Sequence, residues 1–99
     1  GGHTILQTTP QMIINILNYD MSIQQAIEAP RFSTTIGLGV GMEERFPRHI
    51  RRALDSCGHE IDILDAWNIG GAQGVLVDSD KGVFYGGADP RRDGLALAY

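Results

Sequence analysis

Two short runs of β-branched and aromatic residues, Gly74–Val77 and Val83–Tyr85, flank Asp78-Ser79-Asp80-Lys81-Gly82. Such runs around a glycine-containing loop predict a β-hairpin near the C-terminus. Helical signals dominate ahead of it. Thr9-Pro10 reads as an N-cap followed by proline at the first helical position. Met12-Ile13-Ile14-Asn15-Ile16-Leu17 is apolar nearly all round, which predicts a helix buried on most sides and ended by Asn18-Tyr19-Asp20. Ser22 and Gln25 form a capping-box pattern for a short helix, Ile23 to Ala29, that stops before Pro30. Glycines at 37, 39 and 41, after Thr34-Thr35, predict a loop leading into a short edge strand near Val40–Glu43. A third helix is expected from about Pro47, with Ile50, Ala53, Leu54 and Cys57 on one face and Gly58 as its C-terminal cap. Glu60–Leu64 alternates moderately and reads as a strand. The fold class is therefore α/β (α+β): about three helices packed on a small sheet ending in a β-hairpin, in two layers. Residues 1–99 read as a single domain or fragment.

Composition sets the outer limits. Ninety-nine residues with 42% hydrophobic content suit one small unit with a modest core. A net charge of −4 argues against nucleic acid, whose binders show a basic excess. The single cysteine, Cys57, cannot close an internal disulfide. No apolar run approaches the roughly 20 residues of a membrane span. A signal-peptide pattern and an initiator Met are absent, and the chain shows no targeting segment from which to read a compartment.

Several residues invite sharper readings. Cys57 lies near Asp55 and His59, but its place on the apolar helix face predicts a buried, inert thiol. Asp78-Ser79-Asp80-Lys81-Gly82 hints at a calcium loop, yet the obligatory glycine position would be Val83, so a solvated turn is expected and no metal site. Arg45, Arg48, His49, Arg51 and Arg52 form a basic cluster that reads as a solvated face or subunit contact ahead of an anion site. Trp67 is expected at a loop or subunit edge. Gly1-Gly2-His3 could hold Cu(II) or Ni(II) if Gly1 were a free N-terminus, an incidental property in a longer parent.

Five stretches remain: Gly1-Gly2, Ala29-Pro30-Arg31-Phe32, Gly70-Gly71-Ala72-Gln73, Asp89-Pro90-Arg91-Arg92-Asp93-Gly94 and the terminal Tyr99. Chemically, Pro90 fixes a turn, Asp89 and Asp93 can accept backbone N–H bonds, and Arg91 can pair with carboxylates or carbonyls. Pro30 stops a helix and Arg31 reads as a structural anchor. In this order, these stretches resemble the C-terminal part of the small subunit of the γ-glutamyltranspeptidase (γ-glutamyltransferase) family, in the N-terminal-nucleophile hydrolase superfamily. The resemblance covers nearly the whole chain.

That resemblance implies a self-processing enzyme whose freed threonine attacks a γ-glutamyl amide, with no cofactor. It implies that the backbone N–H groups of Gly1 and Gly2 form the oxyanion hole, a task glycine suits because no side chain intervenes. Pro30, Arg31, Asp89, Pro90, Arg91 and Asp93 are the implied structural motif. Thr4, Thr8, Thr9, Thr34 and Thr35 do not match the nucleophile, so the chain alone is expected to be inactive. The implied partners are the remainder of the parent polypeptide (large subunit and N-terminal part of the small subunit) and a γ-glutamyl small-molecule substrate. His3, Ser33 and Ala88 depart from the family pattern and leave substrate preference open. An acylase acting on β-lactam side chains and a non-catalytic α/β binding or assembly module are the alternatives.

Overall fold

A computed structural model describes residues 2–34, 37 and 39–92, with side chains from Ile5 onward. The described residues form α1 (Gly2–Leu17), α2 (Ile23–Glu28), β1 (Phe32–Thr34), β2 (Gly39–Glu43), α3 (Arg48–Ser56), β3 (Glu60–Leu64), β4 (Gln73–Asp78) and β5 (Val83–Ala88). Two compact units result, one from Gly1–Thr9 with Pro30–Gly70 and one from Pro10–Ala29 with Gly71–Tyr99. The chain passes between them at Thr9-Pro10, Ala29-Pro30 and Gly70-Gly71.

The first unit is built on a mixed three-stranded sheet in the order β1-β2-β3. β2 pairs antiparallel with β1 and parallel with β3, so it is the central strand and not the edge strand expected from its glycines. Strand position follows from which partners flank a segment, which residues 39–43 alone do not encode. Successive side chains of a strand point to opposite faces. Val40 and Met42 therefore share a face with Ile61 and Ile63 of β3, and both are buried. Parallel neighbours need a crossover, and α3 supplies it, packing on β3. Pro47 precedes its first turn, and Gly58, at φ 96°, follows Cys57 at its end. None of its residues is buried, and Cys57 is exposed. The expected buried thiol is thus corrected: Cys57 is the C-cap of α3, past its last turn, and is exposed on a helix that packs on β3 without burying any residue of its own.

In the second unit α2 lies on the β4–β5 hairpin. Ser22 accepts from the Gln25 N–H at 3.1 Å while the Gln25 side chain accepts from the Ser22 N–H at 2.9 Å, the reciprocal capping box. Ala26 and Ile27 are each only 1% exposed. Their burial depends on a directly opposed glycine pair, Gly74 on β4 and Gly87 on β5. A Cβ on Gly74 would lie 2.9 Å from Ile23 Cδ1, and one on Gly87 would lie 2.8 Å from Ile27 Cδ1. The hairpin closes through the Gly82 N–H donating to the Asp78 carbonyl at 2.8 Å, with Gly82 at φ 68°.

Helix α1 starts at Gly2 and carries Pro10 inside it. The expected start at Thr9-Pro10 is therefore too late. An interior proline removes one intrahelical hydrogen bond, at a cost of about 3 kcal/mol. The turn before it is held from outside the helix: Thr8 is buried and Gln7 is bonded to Thr34 of β1. The expected burial of the apolar run also fails for the described chain, since Ile13, Ile14 and Leu17 are exposed. Asp20, at φ 57°, turns the chain toward α2, a conformation aspartate tolerates better than most residues.

Replacing Gly87 by valine should lower unfolding stability by about 1–3 kcal/mol, because the added methyls overfill the α2 interface. Gly87→Ala should cost less, as the nearest atoms are ends of flexible side chains. Urea unfolding of both variants checks the order; equal, negligible losses would show that α2 does not depend on this close approach.

Candidate functional site

Among the described residues, the buried charged side chains fall into two clusters, one in each unit. In the first, the Glu43 side chain is fully buried at the end of β2. Its Oε1 accepts from the Arg31 backbone N–H at 2.9 Å and from Arg45 Nη2 at 3.2 Å. Its Oε2 accepts from the backbone N–H groups of Asn68 and Ile69 at 2.8 and 2.9 Å. Arg31, 2% exposed, grips the same loop by donating from Nη1 to the Ile69 carbonyl at 2.9 Å. Arg45 donates from Nε to the Ala66 carbonyl at 2.8 Å and lies 3.5 Å from the Trp67 ring centroid, a cation–π contact. Trp67 is exposed at 41%, so one ring face is covered by Arg45 while the residue remains at the surface.

In the second unit Asp89 and Arg91 form an ion pair at 3.0 Å with both side chains fully buried. Asp89 Oδ2 accepts from the Ala72 N–H at 2.8 Å, and Oδ1 accepts from the Arg91 N–H at 3.0 Å. Arg91 donates from Nη1 to the Ile27 carbonyl at 2.8 Å and from Nη2 to the Ala29 carbonyl at 2.9 Å. Those carbonyls end α2, where a cation complements the negative end of the helix dipole. Pro90 is exposed in the turn that this pair closes. A Cβ on Gly71 would fall 2.5 Å from Arg92 Cγ, so glycine there leaves room for the arginine stem.

The residues singled out from sequence thus divide between the units. Pro30 and Arg31 belong to the first, and Asp89, Pro90 and Arg91 to the second. Gly2 opens α1, whereas Gly1, Asp93, Gly94, Thr35 and Tyr99 lie outside the described residues. Sequence reading missed Glu43 and two glutamines that act as strand partners. Gln7 donates to the Thr34 carbonyl at 2.9 Å and accepts from its N–H at 2.6 Å. Gln24 does the same to Ala88, at 2.8 and 2.9 Å. A glutamine on a helix carries no local sign of such a role. For Glu43 a weak sign existed, an acidic residue continuing a short strand of buried apolar residues. Among the described residues no group of three or more His, Cys, Asp or Glu side chains could hold a metal ion.

The fold also matches known structures. A cephalosporin acylase from Bacillus halodurans superposes with a TM-score of 0.87 at 35% identity, over 93% of this chain and 17% of that one. The gamma-glutamyltranspeptidase of Helicobacter pylori gives 0.77 at 34% identity, over 93% of this chain and 50% of that one. The class is that of the N-terminal-nucleophile hydrolases. Residues 1–99 match the family profile described as gamma-glutamyltranspeptidase, and the chain belongs to that family. A glutathione hydrolase proenzyme from Bacillus subtilis is 31% identical over 97 residues, which is 98% of this chain and 16% of the relative. The chain thus spans about a sixth of the length of this curated relative.

Glu43→Gln should destabilise the protein by about 3 kcal/mol, since an amide presents an NH₂ to donors that now meet an oxygen. Asp89→Asn should cost a similar amount, about 2–4 kcal/mol, by leaving Arg91 a buried uncompensated cation. Denaturant titration measures both; a loss below about 1 kcal/mol in either would mean water replaces the missing acceptor.

Proposed function

We propose that the chain is the C-terminal segment of a γ-glutamyltranspeptidase-like small subunit. The parent enzyme cleaves γ-glutamyl amides of the glutathione type and passes the γ-glutamyl group to water or an amine. The observation that carries this reading, beside family membership, is the start of α1 at Gly2. The first N–H groups of a helix have no intrahelical acceptor and sit at its positive end. A glycine pair at that point is suited to hold developing negative charge.

In this mechanism an upstream threonine hydroxyl adds to the amide carbonyl, its proton passing to that threonine's own amine. The carbonyl oxygen becomes an oxyanion, held by the backbone N–H groups of Gly1 and Gly2. Collapse breaks the C–N bond, and the leaving amine takes up the proton. Water or an acceptor amine then attacks the ester and frees the threonine. Glu43 and the Asp89–Arg91 pair take no chemical part. They hold the scaffold, as do Pro30, Arg31 and Pro90, with Asp93 assigned to the same motif.

The partners in this reading are the large subunit and the N-terminal part of the small subunit. Exposed apolar side chains support them: Leu6 and Leu17 of α1 are 77% and 76% exposed, and Val75, Val77 and Phe84 line the hairpin face opposite α2. A second reading, an acylase with a non-glutamyl acyl group, is favoured by the likeness to the cephalosporin acylase. A non-catalytic α/β module is the reading that remains if the upstream threonine is missing.

The natural polypeptide containing this segment should yield a small subunit beginning with threonine that releases amine from γ-glutamyl amides. An uncleaved polypeptide lacking such a threonine would overturn the enzyme reading. Preference for a β-lactam acyl side chain over γ-glutamyl amides would establish the acylase. Alone, the 99-residue chain should show no turnover and should self-associate or melt at low temperature; sedimentation of a monomer with a high, cooperative transition would contradict this.

A further inference from the structure

One cluster of charge has no part in either buried network. Arg48, Arg51 and Arg52 of α3 line an open surface pocket of about 350 Å³, together with Asp55 and the β3 residues Ile61 and Ile63. Residues three and four apart share a helix face, which brings Arg48 together with Arg51 and Arg52. Arg45, the fourth arginine of the sequence cluster, points its charge elsewhere, to Glu43 and Ala66. Arg51 is half-buried, and its Nε–H is buried with no hydrogen-bond acceptor. Asp55, one helical turn on from Arg51, lines the same pocket. A buried donor without a partner calls for a physical explanation. Three guanidiniums against the single carboxylate of Asp55 leave the pocket with an excess of positive charge, on a chain whose net charge is −4.

We propose that this pocket binds a small organic dianion whose carboxylate or phosphate groups meet the three guanidiniums and whose apolar body rests on Ile61 and Ile63. Arginine presents its donors in a planar fork that matches carboxylate and phosphate oxygens two at a time. Ile63, 44% exposed, offers the ligand body a contact that would otherwise face water. The volume suits a compact molecule, near the lower end of the range for small-molecule sites. Asp55 disfavours a third negative group at its end of the pocket. The site is independent of the acyl-transfer reading, since none of its residues is assigned to that chemistry.

Isothermal titration of the natural full-length polypeptide with phthalate, a dianion on an apolar ring, tests this at about 0.15 M salt, where surface charge is screened. Saturable binding is expected. Arg48→Gln and Arg51→Gln should each weaken it about tenfold, the worth of one charge-assisted bond. Arg51→Lys should fall between, keeping the charge and losing the fork. Lys81→Gln, a cation on the hairpin turn, should bind as the parent does. Melting temperatures without ligand verify that each variant is folded. Absence of saturable binding, or equal binding by folded arginine variants, overturns the site. Inorganic pyrophosphate bound as tightly as phthalate would overturn the assigned ligand class, because it makes no use of the apolar floor.

Discussion

The carboxylate of Glu43 is the constraint on which the first unit rests. Burying an ionised group costs several kcal/mol, and the cost is recovered only when its oxygens are well bonded. Here both oxygens are engaged, and the donors include three backbone N–H groups, from Arg31, Asn68 and Ile69, beside Arg45. The carboxylate therefore joins the segment leading into β1 to the loop after β3, at the end of the central strand. Among the described residues, few large apolar side chains are buried in this unit, namely Val40, Met42 and Ile69. With so small an apolar core, the geometry of the loop is fixed more by directed bonds than by packing. Asp89 and Arg91 repeat the device in the second unit, where a buried pair locks a turn and caps a helix at once.

Backbone groups at strand ends are bonded by another route. A strand end leaves an N–H and a C=O without a ladder partner, which is costly where the pair is partly buried, as at Ala88, and leaves water as the competitor where it is exposed, as at Thr34. A primary amide offers one donor and one acceptor in the spacing of a peptide group. Gln7 and Gln24 each use it to pair with one residue, Thr34 and Ala88. The close seating of α2 on the Gly74–Gly87 pair brings Gln24 within reach of β5. Absence of side chains on the sheet and presence of an amide on the helix are thus two halves of one packing solution.

What could be read from sequence is what local chemistry decides. The capping box at Ser22 and Gln25, the hairpin and the glycine after α3 all follow from residues a few positions apart. The early start of α1 did not, because it depends on Gln7 meeting a residue 27 positions away. The central place of β2 depends likewise on partners from both sides, and the exposure of Cys57 on how little of its helix the fold covers. Ala29-Pro30-Arg31-Phe32 and Asp89-Pro90-Arg91 stood out as motifs, and their arginines do make buried bonds to carbonyls. The residue that organises one of those networks, Glu43, stood in no motif.

The link from this scaffold to the proposed chemistry runs through the first turns of α1. Pro10 has no N–H, so the helix ladder is interrupted between the part beginning at Gly2 and the part that follows. A short N-terminal stretch of helix is weak by itself, since helix nucleation costs more than its first bonds return. Its position therefore has to come from side chains, and among the described ones Gln7 is tied to β1 and Thr8 is buried. β1 is in turn paired to the strand that ends at Glu43. A helix starting at Pro10 would have placed its unpaired N–H groups away from the glycine pair. The start at Gly2 puts them beside it, so an oxyanion hole at Gly1 and Gly2 would draw its geometry from the sheet and, at one further remove, from the buried carboxylate.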